Sequence, residues 1–513
     1  MSLLRSIATV GGYTSASRVL GFFRDILIAR LMGTGLEADA FFVSQRLPNL
    51  FRSLFAEGAF NAAFVPLYGG SLESRGPEPA HRFSEDVLSV MMTVLLAFTA
   101  IAQAGMPWLI YLLAGGFASD PVKFALAVLL SQITFPYLLF VSLTALQGGI
   151  LNTLHRYGHA AAAPILLNIV MIAALVFVAP FTSRHGEVLA SAMTVAGVGQ
   201  LMWMAFACHR AGIDLHLRWP RLTPEVRRLL RLMVPGVIGS GVMQINLVIG
   251  TQIASWQSSA VSYLYYADRI YQLPLAVIAT AAGVVLLPEL TRRLRSGQAD
   301  LAMAAANRGI EFVLLLTIPA AVALMVIPGP IVSVLFERGA MAATDSQAIA
   351  RVLGIYGLGL PAFAMVKALT PSYYAREDTT TPFRFAIVSM LANTVLSVVL
   401  FLVIGFAGIA LATVLASWLN ITLLYRRLQR RKELTIDARL RGRLPRIVLC
   451  SVIMGGTLWL AAGALSDALG GTLVVKIGAL ALLVAGGIAM FGGLALMLGV
   501  IQRVDVSRAF RRG

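Results

Sequence analysis

The chain has 513 residues, 58% of them hydrophobic and only 13% charged. An ordinary soluble domain is about 45–50% apolar and about 25% charged, so this balance excludes a soluble globular fold and points to a polytopic membrane protein. The formal charge of +17 falls on alternate connections rather than on one face, which argues against a nucleic-acid surface.

Apolar stretches of about 20 residues are long enough to cross the hydrocarbon core. Fourteen occur, at 8–32, 36–66, 86–112, 121–150, 160–180, 187–208, 228–255, 259–288, 305–328, 345–373, 383–404, 407–426, 446–466 and 473–500. The opening MSLLRSIATVGGYTSAS has an apolar core broken by Gly11, Gly12 and Tyr13, so it reads as the start of the first helix rather than a cleaved signal. The first two stretches are unusual because charges interrupt them.

The connections carry the orientation. One set holds Arg75 and Arg82, Arg156, the group Arg210 to Arg231, Arg292 to Arg295 and the run Arg426 to Arg446. The opposite set holds few bases, such as Arg184 and Arg338. The positive-inside rule then predicts both termini in the cytoplasm, in agreement with an even number of spans. Most of the positive charge is topology and contact with lipid headgroups. The long basic connections 209–227 and 427–445 are expected to lie along the membrane surface. The outside connections are too short to fold into a domain, which argues against a polytopic glycosyl- or phosphotransferase. None of the four lysines, Lys123, Lys367, Lys432 and Lys476, stands in a GxxxxGK[ST] phosphate loop. Cys208 and Cys450 match no metal or redox spacing, and His155 and His159 have no third ligand nearby. No metal or cofactor is expected.

Two halves of the chain are alike. QITFPYLLF (132–140) resembles YGLGLPAFAM (356–365) at an offset of 225, and the same offset pairs Asn168 with Asn393. FVPLY (64–68) matches LLPEL (286–290) at 222, which brings Arg46 within one residue of Arg269. The expected fold is therefore all-α, with 14 transmembrane helices: two pseudo-symmetric six-helix lobes (1–220 and 221–440), two C-terminal helices and a basic tail (441–513). Duplicated lobes around a midplane site are the usual plan of alternating-access transporters.

The charges inside the spans suggest what that site binds. Arg18 and Arg24 lie in the first helix, Arg46 and Arg52 in the second, and Arg269 in the eighth. Each mid-membrane Arg costs about 2.5–3.5 kcal/mol on insertion scales, so five facing lipid would cost roughly 12–18 kcal/mol. A central Leu returns only about 0.3–0.6 kcal/mol. The arginines should therefore face a bundle interior or a wet central cavity. Gln45, Pro48, Asn49 and Arg52 form one stripe, and Ser262, Tyr265, Tyr266, Arg269 and Gln272 form another. Ion pairs with Asp25, Asp39, Glu57 or Asp268 explain some of these arginines, but with Lys367 included the bases outnumber the acids. Arg30 is near enough to the helix end to reach headgroups, whereas Arg46 lies about 100° from the Arg52 stripe and stays open between the two readings. A cationic, aromatic-lined cavity suits an anion, because guanidinium forks match phosphate and carboxylate.

The segment SRVLGFFRDILIARLMGTGLEADAFFVSQRLPNLFRSLFAEGAFNAAFVP (17–66), with YYADRIYQLP (265–274) and ITFPY (133–137), resembles the MurJ (MviN) family of bacterial lipid II flippases. These belong to the multidrug/oligosaccharidyl-lipid/polysaccharide exporter superfamily. The resemblance implies an inner-membrane transporter, not an enzyme. It implies that lipid II, a disaccharide-peptide on undecaprenyl pyrophosphate, is moved from the cytoplasmic to the periplasmic leaflet, driven by membrane potential or an ion gradient. It implies that the last two helices form a hydrophobic groove. It also implies that Arg18, Arg24, Arg52 and Arg269 bind the substrate together with Asn49 and Asp39, and that Ala29 lines the cavity. Asp25, Arg46, Tyr265, Tyr266, Asp268, Gln272 and Lys367 complete the candidate cavity and gate. Gln272 stands where some members carry an acid, and Arg46 stands where a Lys is expected. The expected partners are lipid II, membrane lipids and proteins of cell-wall synthesis or division. The competing readings are an exporter of another anionic lipid-linked oligosaccharide or solute and, more distantly, a membrane transferase.

Overall fold

A computed structural model of the chain describes residues 3–53 and 59–501. Every regular element among them is helical. Glu57 and the basic tail beyond Ile501 lie outside the described residues. The chain divides into two compact units, one of residues 1–262 with 339–341, the other of residues 263–338 with 342–513.

The first unit holds α1 (Leu3–Met32), α2 (Leu36–Arg52), α3 (Ala59–Arg75), α4 (Pro77–Ala104), α5 (Met106–Ala114), α6 (Pro121–Thr134), α7 (Tyr137–Thr153), α8 (Tyr157–Phe177), α9 (His185–His209) and α10 (Pro224–Ala254). It also holds the first residues of α11 (Ala260–Arg295). Helix starts follow ordinary capping rules. Asp120 accepts from the amides of Val122 and Lys123 ahead of α6, and Thr223 from that of Val226 ahead of α10. Proline stands in the first turn of both, where its missing N–H costs nothing. α1 packs on α8, α2 on α6, and α7 and α8 on α9.

The second unit continues α11 and adds α12 (Ala299–Val326), α13 (Pro328–Phe336), α14 (Ala343–Tyr374), α15 (Thr380–Ile404), α16 (Phe406–Arg430), α17 (Ala438–Ala464), α18 (Ser466–Gly470) and α19 (Leu473–Met497). One core joins α12, α14 and α16 around Val313, Leu369, Tyr373 and Leu424. The Tyr373 hydroxyl satisfies itself there by donating to the Leu424 carbonyl at 2.7 Å. A smaller cluster of Ile327, Met454, Leu458 and Leu483 fastens α17 and α19 to the end of α12.

Two pairs of consecutive helices share their lengths. α4 and α5 have 28 and 9 residues, and so do α12 and α13. The matched prolines behave differently. Pro136 separates α6 from α7, whereas Pro361 sits inside the unbroken α14.

Ten spans among the described residues are long and apolar enough to cross a membrane: α4, α6–α7, α8, α9, α12, α14, α15, α16, α17 and α19. Their outward faces are apolar, as at Leu402 and Val474, which are each 80% exposed. Water would not tolerate so much apolar surface, and lipid covers it. The other four expected stretches correspond to α1, α2–α3, α10 and α11. Three of them carry the candidate arginines: Arg18 and Arg24 on α1, Arg46 and Arg52 on α2, and Arg269 on α11.

Candidate functional site

In the first unit, α1 brings Arg18, Arg24 and Arg30 to different surroundings. Arg24 is buried. Its Nη2 lies 2.8 Å from Asp25 Oδ1, its Nε donates to the same oxygen at 3.1 Å, and Nη1 donates to Asn168 Oδ1 on α8 at 3.1 Å. Asn168 in turn donates to the Ser17 carbonyl at 3.0 Å. The charge of Arg24 is therefore balanced inside the unit, at a short helix–helix contact that Gly21 permits by facing Asn168. Arg18 is exposed, and among the described residues it makes no ion pair. Arg30 is exposed as well, and its carbonyl accepts from the Ala340 amide at 2.8 Å. Ala29, expected to line a cavity, is fully buried.

The α2 stripe is realised. Asn49 donates to the Gln45 carbonyl at 2.8 Å, and its Oδ1 accepts from Arg52 Nε at 3.3 Å. Arg52 is half-buried and ends the helix. Arg46 points elsewhere, to the Thr251 hydroxyl on α10. Asp39 has surroundings that the stripes do not suggest. It is fully buried, and Lys123 Nζ lies 2.6 Å from Oδ2. The Ser259 amide donates to Oδ2 at 3.0 Å, and the Ser262 amide and hydroxyl donate to Oδ1 at 2.9 and 2.5 Å. This carboxylate caps the start of α11 and neutralises Lys123, which also stacks over Phe117. The partners of Asp39 are thus Lys123, Ser259 and Ser262.

Lys123 and Asn168 are the polar partners that the residue patterns leave unassigned. Lys123 was legible as one of only four lysines in the chain. Its pairing with a residue 84 positions away was not.

In the second unit, Arg269 is half-buried on α11. Its Nη2 donates to the Tyr265 hydroxyl at 2.9 Å, and the guanidinium sits 5.0 Å from the Tyr265 ring centre. That is a cation–π stack. One turn on, Gln272 is exposed and donates to Asp268. Tyr266 is buried against Phe336, with ring centres 5.0 Å apart. Lys367, on α14, is exposed. The unit thus presents a guanidinium set against the Tyr265 hydroxyl and ring, and guanidinium groups match oxyanions.

A family model described as lipid II flippase MurJ matches residues 28–479. A relative from Rhizobium meliloti (strain 1021), named "Probable lipid II flippase MurJ", is 45% identical over 100% of this chain and 97% of its own length. One from Burkholderia cenocepacia, named "Lipid II flippase MurJ", is 36% identical over 84% of each chain. Among solved structures, a lipid II flippase MurJ in an inward closed conformation superposes with a TM-score of 0.78 at 26% identity, covering 95% of this chain and 98% of that one. An inward-facing multidrug resistance MATE transporter shares the fold with a TM-score of 0.65 at 15% identity, covering 81% and 95%. The matched segment takes in Arg46, Arg52, Asp39 and Arg269, nine of the ten apolar spans and the first seven residues of the tenth, α19. The chain belongs to the lipid II flippase MurJ family, a family of membrane transporters.

Proposed function

We propose that this protein flips lipid II from the cytoplasmic to the periplasmic leaflet of the inner membrane. The observation that carries the reading is the family match over residues 28–479. In this reading the chain crosses the membrane fourteen times, with α1, α2–α3, α10 and α11 added to the ten apolar spans, and both termini are cytoplasmic. The lobes 1–220 and 221–440 alternate access, and helices 13 and 14 (α17 and α19) guide the polyprenyl tail.

Arg18, Arg24, Arg52 and Arg269 hold the pyrophosphate. Two of them are prepared in different ways. Arg269 is held against the face of the Tyr265 ring. Arg24 is resting on an internal counter-ion, Asp25, which a doubly charged pyrophosphate displaces by offering more acceptor oxygens in the same fork geometry. Asn49 orients Arg52. Asp39 contributes by fixing the start of the helix that carries Arg269. Arg46, Asp268, Gln272 and Lys367 shape the approach.

With no nucleotide-binding motif, the driving force is electrical or ionic. Moving negative charge outward across an inside-negative membrane gains about 2.3 kcal/mol per charge per 100 mV, so a doubly charged pyrophosphate gains roughly 4–5 kcal/mol at 100 mV. The test is outward movement of labelled lipid II in vesicles that contain only this protein. Arg24→Ala, Arg52→Ala and Arg269→Ala are each expected to abolish it while inserting normally. Normal flipping by all three variants would overturn the assignment.

A further inference from the structure

The second unit holds a cationic cavity that the transport reading does not use. The first three turns of α17 carry Arg439, Arg443 and Arg446, and the end of α19 returns beside them. These arginines, with Ala438, Gly442 and Gly499, line an open cavity of about 320 Å³. Beneath it, Glu311 of α12 organises the guanidiniums. Arg443 is only 7% exposed and donates to Glu311 Oε1, while Arg439 Nε stands 3.2 Å from Oε2. Arg308 bonds both Glu311 and Asp437.

Four guanidiniums against two carboxylates leave an excess of two positive charges, and neither carboxylate lines the cavity. Arg446 is exposed at its rim and donates to the Leu498 carbonyl at 3.2 Å. Immediately beyond, α17 and α19 turn apolar side chains outward, with Leu449 50% and Met497 83% exposed. A water-soluble phosphate would use the cations and ignore these faces. An acidic amphiphile uses both, because basic pockets at helix ends hold headgroup phosphates while the acyl chains cover neighbouring apolar surface.

We propose that this cavity binds the phosphate diester of an acidic phospholipid. Arg443 and Arg439, pre-set by Glu311, form the floor, and Arg446 forms the rim. The site is separate from Arg18, Arg24, Arg52 and Arg269, so its occupancy is readable without transport.

The experiment is native mass spectrometry of the purified full chain titrated with phosphatidylglycerol, phosphatidylcholine or glycerol 3-phosphate. Two variants accompany it. Gly442→Leu fills the cavity from a position whose added Cβ meets nothing within 4 Å. Arg446→Gln removes an exposed rim charge outside the Glu311 network, so at least one variant keeps the fold. The expected result is a preference of about tenfold for phosphatidylglycerol over phosphatidylcholine, lost in both variants, with glycerol 3-phosphate unable to displace the lipid. Equal binding of the two lipids, or an unchanged preference in the folded variants, would overturn the proposal. So would displacement by glycerol 3-phosphate, which would make the cavity a soluble-phosphate site.

Discussion

Arg24 and Asp25 are neighbours in sequence and partners in space, and both are buried. Removing one partner of such a pair leaves a buried charge and costs about 3–5 kcal/mol, whereas replacing both together is far milder. Asp25→Asn is therefore expected to lower the thermal stability of the purified protein markedly. The double variant Asp25→Asn with Arg24→Gln should recover most of that loss yet remain inactive in flipping. If the double variant flips lipid II, Arg24 serves stability alone. The pair was half legible from the residues. An acid beside an arginine in an apolar helix suggests pairing, but Asn168, which completes the site from 144 positions away, belongs to another helix and leaves no local trace.

Where helices meet, backbone geometry decides. Gly33 follows α1 with φ +58°, and an added Cβ would lie 2.4 Å from the Ala340 carbonyl oxygen. Gly339, at φ +63°, would place its Cβ 2.2 Å from the Arg30 carbonyl oxygen. The left-handed conformation alone costs a non-glycine residue about 1–2 kcal/mol, and the collision adds to it. Gly33→Ala and Gly339→Ala are each expected to lower the melting temperature by several degrees, while Gly12→Ala, which faces open space, should not.

A second junction is pH-sensitive. Asp378, between α14 and α15, is pushed up by burial, but hydrogen bonds from Thr381 and Arg431 outweigh this and bring it down to about 2. The usual carboxyl value is near 3.9. A depressed value stabilises the fold above the unfolded pKa and loses that stabilisation as the pH falls toward 2. The melting-temperature advantage of the native protein over Asp378→Asn should thus be full at neutral pH and shrink between about pH 4 and pH 2. An advantage that persists unchanged at pH 2 would show that Asp378 acts only through shape. Helix positions themselves were well anticipated by hydropathy. The breaks were not, because Pro136 ends a helix and Pro361 does not, and only the packing around each proline distinguishes them.

At the scale of the molecule, the positive charge has two uses. In the proposed reading, arginines in the connections set orientation, and those within α1, α2 and α11 hold the anion. If the membrane potential moves the pyrophosphate, a potential-dissipating ionophore should stall lipid II movement in vesicles, and imposing an inside-negative potential should restore it. Unchanged flipping in depolarised vesicles would leave an ion gradient as the driving force. The amino-acid sequence by itself determined the membrane character, the helical class, the apolar spans and the identity of the charged helices, because hydropathy and periodicity are local properties of the chain. Only the tertiary structure decided which charges are cancelled. Asp39 meets Lys123 and Ser262 across separations of 84 and 223 residues, and Glu311 gathers Arg443 from 132 positions away. Such partnerships depend on which helices pack together, and desolvation makes that choice by admitting a buried charge only where another helix offers its complement.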